Sequence, residues 1–270
     1  MKRIAYCSDL HGDREKYRQF FAIKADYHII GGDLFPKRSH RMKLFVYQKE
    51  FMESFLRPLL EQNKLVTSTF LMLGNDDIGP LEKNILQYHE EGLCFYLHNN
   101  IFEIGNFELI GFQYVPPTPF AMKNFERMDS RGASQELFSP PILFQKDGSI
   151  IEIDFLSYLR SNPSIAELLE VLPKPTDLSK TIYVMHSPPY ETLLDITVKN
   201  EHVGSNDIRE FLLKNQPNLF LCGHIHESPG TIKLGNTTCI NPGQLYEFKY
   251  SLFELENNSI NYLKIPSQLT

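Results

Sequence analysis

Short apolar runs that stop on acidic or glycine-rich loops punctuate the first third of the chain. Residues 3–8 read as a buried strand ending at Asp9, and the charged stretch 13–24 that follows is compatible with a helix. Residues 27–30 form the next strand, which breaks at Gly31-Gly32-Asp33. From about Arg41 to Gln62, Leu44, Phe45, Phe51, Phe55 and Leu59 recur on a helical period, and residues 65–73 supply a third strand that stops at Gly74-Asn75-Asp76-Asp77. Strand, polar loop and helix therefore repeat three times, the βαβ signature of an α/β protein.

The pattern then changes. Gly105-Asn106, Gly235-Asn236 and Asn257-Asn258 each separate two β-like runs, the turn signal of an antiparallel hairpin. Hairpins late in a chain that opened with βαβ units predict mixed sheets, two of them packed face to face with helices outside. Residues 116–179 fit this scheme poorly, being rich in proline beside a charged segment at 123–131. We read residues 1–270 as one domain with a lid-like insertion at about 116–179, for which surface decoration is the plainer alternative. Within it, 151–160 and 164–172 look helical, the second behind an Asn-Pro-Ser cap signal.

Composition narrows the class without changing this outline. Hydrophobic residues at 42% and charged residues at 22% are those of an ordinary soluble globular chain. A net charge of −6 advertises no basic surface for recruiting duplex nucleic acid by counterion release, so no such partner is expected. No apolar run approaches the ~18 residues of a membrane span, and the first residues lack a signal-peptide core; neither a membrane nor export is expected, and cytoplasm is the expected address. Cys7, Cys94, Cys222 and Cys239 are widely spaced, which predicts reduced core thiols. Homo-oligomerisation is left open.

The polar residues at the strand ends carry the chemistry. Asp9 and His11 follow the first strand, Asp33 the second and Asn75 the third, while His186 follows a strand at 181–185 and His224 and His226 one at 219–222. Ligands of open α/β sheets bind beyond the carboxyl ends of the strands, so these seven side chains are expected to converge. Carboxylate, amide oxygen and imidazole together suit manganese, iron, zinc or nickel better than calcium, which prefers an all-oxygen shell. Seven ligands are too many for one zinc ion. They suit two divalent ions sharing a carboxylate, with positions left for water and a phosphate oxygen.

In sequence order, SDLHG, GGD, GNDD, MHSPP and CGHIH resemble the motifs of the calcineurin-like metallophosphoesterase superfamily, and the resemblance runs from Asp9 to His226. His202-Val203-Gly204-Ser205 leading into Ile208-Arg209-Glu210-Phe211, with CGHIHESPG and INPG, is similar to the Icc-related phosphoesterases within it, as is Pro117-Thr118-Pro119-Phe120 before Phe125-Glu126-Arg127. The resemblance implies a four-layer αββα sandwich of two mixed sheets. It implies Asp9, His11, Asp33 and His226 on one ion and Asp33, Asn75, His186 and His224 on the other, with Asp33 and a hydroxide bridging. Asn75 and Asp76 are the implied catalytic residues, but Asp76 stands where the usual motif has a histidine that protonates the leaving group.

The resulting expectation is hydrolysis of a small-molecule phosphodiester or phosphomonoester. A metal-binding scaffold of the same fold that mediates protein interactions without catalysis is the alternative. The arginines of protein serine/threonine phosphatases are missing from GGDLFPK and LGNDD, and no DNA-binding appendage marks a repair nuclease. Ser205 reads as a helix N-cap with phosphate contact as a second option, and His202 either as a substrate-binding candidate facing the site or, equally, as an exposed surface histidine. Phe120, Phe125 and Phe138 are candidates either to stack on a base or aryl group or to pack the insertion. Gly31-Gly32, Gly74 and Gly223 are expected to permit sharp turns. His28, His40, His89 and His98 match no motif and are expected to be structural or exposed.

Overall fold

A computed structural model describes residues 1–37, 41–132, 136–244 and 247–267; His40 lies outside them. Strands β1 (Lys2–Cys7), β2 (Tyr27–Ile30), β3 (Ser68–Leu71) and β4 (Phe95–Tyr96) run parallel as one block. A second parallel block is made of β6 (Phe107–Phe112), β9 (Thr181–Met185), β10 (Leu219–Leu221) and β12 (Thr237–Asn241). The three predicted hairpins supply the antiparallel members: β5 (Ile101–Ile104) on β6, β11 (Gly230–Leu234) on β12, and β13 (Ser251–Leu255) with β14 (Ile260–Lys264), of which β13 pairs with β1. Two six-stranded mixed sheets result, in the orders β14-β13-β1-β2-β3-β4 and β11-β12-β10-β9-β6-β5.

Alternation along the second sheet shows how the layers stack. Leu109, Ile182, Val184, Leu219, Leu221 and Ile240 join the core shared with the first sheet, whereas Ile110, Tyr183, Met185, Phe220 and Cys239 point the other way into a second cluster. Helices α6 (Ile165–Glu170) and α7 (Asn206–Asn215) close that outer cluster with Ile165, Leu169, Ile208 and Leu212. On the outer face of the first sheet lie α1 (Arg14–Phe21), α2 (Arg41–Phe51), α3 (Arg57–Asn63) and α4 (Glu82–Glu90), burying Tyr17, Phe20, Phe51, Leu60, Ile85 and Tyr88. The expected αββα order is thus present.

Helices α2 and α3 are continuous through a π-helical stretch, Met52–Leu56, so the long predicted helix exists with one widened turn. The third strand is shorter than expected. Asn63 O accepts from Val66 N and Thr67 N, holding the chain in a turn after α3 and leaving Leu65 and Val66 exposed. In the insertion, the helix expected from 151 begins only at α5 (Phe155–Ser161), capped by Asp154. The residues before it form a hairpin, β7 (Ile142–Phe144) with β8 (Ile150–Glu152), whose turn is closed by Gln145 N to Ser149 O, a two-state ambiguity typical of short apolar runs. Helix α6 starts at the predicted cap, where Ser164 and Glu167 form a capping box.

All four cysteines are buried free thiols. His28, His89 and His98 make local structural hydrogen bonds to Ile23 O, Cys94 O and Gln113 N. Among the described residues no helix is long and apolar enough to cross a membrane.

Candidate metal centre

Loops leaving β1, β2 and β3, neighbours in the first sheet, meet loops leaving β9 and β10, neighbours in the second. Backbone bonds lock the first pair: Asp9 N donates to Gly32 O at 3.0 Å and His11 N to Asp33 O at 2.9 Å. Two bonds cross between the sheets. His224 N donates to the Asp9 carboxylate at 3.0 and 3.2 Å, and His186 Nδ1 lies 2.8 Å from Gly31 O. A carbonyl only accepts, so Nδ1 carries a proton and Nε2 is turned inward, where it offers a lone pair once its own proton leaves, the arrangement found behind metal-binding imidazoles.

Asp9, His11, Asp33 and His226 offer ligand atoms that all lie within 4.8 Å of one another. His226 Nε2 is 3.2 Å from Asp9 Oδ1 and 3.0 Å from His11 Nε2, while His11 Nδ1 is buried without a hydrogen-bond partner. Nitrogens and carboxylates aimed at one point, with a ring nitrogen left over, fit a divalent cation better than a hydrogen-bond network. Beside this group, His186 Nε2 is 3.3 Å from Asn75 Oδ1 and 3.5 Å from Asp33 Oδ1, and the His186 and His224 rings are 5.2 Å apart. Asp33 faces both halves: Oδ1 turns toward His186, and Oδ2 toward His11 Nε2 at 3.8 Å.

The electrostatics give each half one lowered and one raised imidazole, His226 being raised, against its burial, by Asp9. Burial holds His11 and His224 at about 3, neutral and ready to coordinate. Burial also opposes charge on His186, but Asp33 and Asp9 outweigh it and lift the ring to about 9, so His186 is their counter-charge until a cation takes over. Burial likewise resists ionisation of Asp9, yet His226, His186 and His11 hold its carboxyl well below the usual range.

Tight turns place four of these side chains in the left-handed region: Asp9 at φ 59°, His11 at 46°, Asp33 at 53° and His224 at 66°. The expected role of the glycines is thereby corrected at three positions: Gly31, Gly74 and Gly223 have no left-handed φ, and a Cβ on Gly31 would run into the Tyr6 ring. A Cβ on Gly74 would lie 2.2 Å from Asp33 Oδ1 and 2.7 Å from His186 Nε2, and one on Gly223 would lie 2.4 Å from Asp9 Oδ2. Gly74 and Gly223 give the candidate side chains room, and those candidates themselves carry the strained turns.

Asp76 borders the centre. Its N donates to Asp33 Oδ1 at 2.9 Å, and its Oδ2 accepts from Lys37 Nζ at 3.2 Å, an ammonium also 3.1 Å from His11 Nε2. Burial and Asp33 raise its pKa, against the pull of Lys37. His202 is placed differently: Nδ1 pairs with Asp195 Oδ1 at 2.7 Å and its ring lies edge-on to Tyr190, with no hydrogen bond to any of the seven candidates among the described residues. Ser205 is the N-cap of α7, and the Asp129 carboxylate occupies that helix start through Ser205 Oγ, Asn206 N and Asp207 N, in place of a phosphate. Of the three phenylalanines, Phe125 is buried, while Phe120 and Phe138 are exposed and pack edge to face.

Three supporting residues escaped the sequence reading. Asp77, fully buried, accepts from Leu34 N, Phe35 N and Gly74 N, tying the Asp33 loop to the Asn75 loop. Gln48 on α2 touches the same two loops. Lys37 lies just beyond the GGD motif. Gln48 left a usable signal, a polar residue within the apolar helical stripe of Leu44 and Phe51.

Comparison with known proteins agrees. The protein TT1561 of Thermus thermophilus superposes with a TM-score of 0.56 at 18% identity, covering 97% of each chain. A dimetal phosphatase from Danio rerio does so at 0.52 and 11% identity over 98% of each chain, and both likenesses show the fold. The uncharacterized protein MJ1162 of Methanocaldococcus jannaschii is 41% identical over 78 residues, 27% of this chain, which spans about a third (36%) of that relative's length. Residues 2–228 match the calcineurin-like phosphoesterase family, a stretch that takes in strands β1 to β10 and every residue of the centre, and the chain belongs to that family.

Proposed function

We propose that the chain is a phosphoesterase with two divalent ions that hydrolyses a small-molecule phosphodiester or phosphomonoester. The observation that carries this reading is the convergence of Asp9, His11, Asp33 and His226 within 4.8 Å at the ends of separate strands. These four hold one ion; Asp33, Asn75, His186 and His224 hold the other, and Asp33 is shared. The two-sided Asp33 carboxylate and the inward Nε2 of His186 support that assignment, as does the dimetal Danio phosphatase of the same fold. Manganese, iron, zinc and nickel all suit the ligand types. When bound, such ions generate a nucleophile from water at neutral pH and offset charge on the phosphoryl oxygens.

The chain's own groups do the rest. Asn75, whose Nδ2 donates to Asp76 Oδ1 at 3.3 Å, acts beside Asp76. Asp76, paired with Lys37, presents a compensated carboxylate to the departing oxygen and supplies no proton there, so esters with stable leaving groups are the preferred substrates. The insertion at 116–179 acts as a lid within a single domain spanning 1–270. Arg131 supports this, reaching from the insertion over the Tyr190 ring at 4.5 Å and bonding His202 O and Val203 O. His202 then meets substrate from the loop that this arginine holds. Four free buried thiols support a reducing compartment, the cytoplasm.

Metal-depleted protein reconstituted with manganese, magnesium, iron, nickel or zinc, and assayed against phosphomonoesters, diesters, cyclic nucleotides and pyrophosphates, tests the reading. Two ions per chain and metal-dependent turnover of at least one class are expected. A chain that takes up no ion, or hydrolyses none of these with any metal, is not this enzyme.

A further inference from the structure

Gln48 lies on α2 between the buried apolar residues Leu44 and Phe51, and its side chain is fully buried. Nε2 donates to Pro36 O at 3.1 Å and to Asp76 O at 2.9 Å, and Oε1 accepts from Ile78 N at 2.9 Å. Both amide hydrogens and the amide oxygen are thus committed, so the side chain has one allowed orientation. In this clamp the amide nitrogen alone bridges the loop that carries Asp33 and the loop that carries Asn75 and Asp76, and the amide oxygen holds the second loop again. Phe35 from the first loop packs edge-on against Phe51 of the same helix, 6.4 Å between centroids. The π-helical stretch Met52–Leu56 follows immediately, a local widening that recurs at functional sites within helices.

We propose that Gln48 is a positioning residue for the metal centre, setting the separation between the Asp33 and Asn75 loops and thereby the affinity of the half-site they share. The inference rests on the two-ion reading. His11 and Asp9 are tied to the Asp33 loop by backbone bonds independent of Gln48, so the half-site of Asp9, His11, Asp33 and His226 does not depend on it. Among the described residues no backbone–backbone bond ties Asn75 to that loop. The two loops are joined by side chains alone, Asp33 to Asp76 N, Asp77 to Leu34 N, Phe35 N and Gly74 N, and Gln48, and this makes the second half-site sensitive to the clamp.

The test is stepwise manganese or zinc titration of metal-depleted protein against a chelating dye, comparing wild type, Gln48→Met, Gln48→Glu and Leu60→Ala. Methionine keeps the shape without the hydrogen bonds; glutamate keeps the acceptor but turns an anion on two carbonyls. Leu60→Ala loosens the neighbouring α3 away from both loops. Expected are a first ion bound as in wild type and a second bound at least tenfold more weakly in Gln48→Met, a larger loss in Gln48→Glu, and wild-type affinities in Leu60→Ala. In wild type alone, the Ile78 amide hydrogen is expected to exchange slowly even without metal. Equal affinity for both ions in wild type and Gln48→Met, parallel loss of both ions, or rapid Ile78 exchange overturns the assignment. Wild type that binds only one ion overturns the two-ion reading itself, before any variant is compared.

Discussion

Asp33→Asn separates the two halves of the centre. The substitution keeps the side-chain shape and a residue type that tolerates the left-handed backbone at φ 53°. Asp76 N donates to Oδ1, so the amide oxygen takes that position and the NH2 falls where Oδ2 was, facing His11 Nε2. A donor then stands in the half-site of Asp9, His11 and His226, and one negative charge is gone from both. Loss of an outer partner costs a metal site about 10- to 100-fold, so if Asp33 is the shared ligand proposed above, its loss is expected to reduce turnover by about 100-fold or more, roughly 3 kcal/mol of transition-state stabilisation. His11→Ala removes one nitrogen from one half and is expected to be no more severe. Turnover of p-nitrophenyl esters and ion counts after gel filtration measure both variants. Two retained ions with near-wild-type turnover in Asp33→Asn would show that this carboxylate bridges nothing.

His186 stands at about 9 in the metal-free fold because Asp33 and Asp9 outweigh its burial, against about 6.5 when unfolded, so its stabilising charge is fully present below about 6.5 and lost as pH rises through about 9. Metal-free protein is therefore expected to melt progressively lower across that interval; a flat melting profile refutes the charge on His186. Binding of metal must expel that proton, so activity is expected to fall toward acid pH with a limb that excess metal shifts, whereas a limb fixed across metal concentrations would implicate a group outside the centre. Asp76→His supplies a proton donor beside the leaving group and is expected to raise turnover of alkyl esters more than of p-nitrophenyl esters; equal effects reduce Asp76 to a structural residue. In the insertion, Lys123 and Glu126 form a fully buried ion pair at 2.9 Å. Lys123→Met alone is expected to cost about 3–5 kcal/mol in urea unfolding and to regain part of it when combined with Glu126→Leu, the unpaired charge being removed while the buried Thr118 N–H, hydroxyl and carbonyl stay without these partners; a double variant as unstable as the single one contradicts this.

Much of the fold is legible in the sequence because its signals are local. Strand ends marked by Asp9, Asp33, Asn75 and His186, and turns such as Gly105-Asn106, need only a few neighbouring residues to be read. The same strand-end rule brings the ligand candidates to one place. Residues 65–67 read as strand, whereas Asn63 O, a detail of the helix end, holds them in a turn. Ile151 reads as the start of a helix because a short apolar run has no period long enough to decide, and pairing with Leu143 makes it strand. Gln48, Asp77 and Lys37 escape for a different reason: each acts across more than 20 residues of chain on partners that only the folded packing brings within reach.

The left-handed turns at Asp9, His11, Asp33 and His224 bear on how such a protein changes over generations. A side chain in that region costs about 1–2 kcal/mol relative to glycine, and four of them approach the net stability of an entire domain. Glycine at any of the four would relax the backbone and delete a proposed ligand in the same step. Loss of catalysis and gain of stability therefore lie in one direction, and a lineage released from the need to hydrolyse its substrate would drift downhill into an inert scaffold of the same shape.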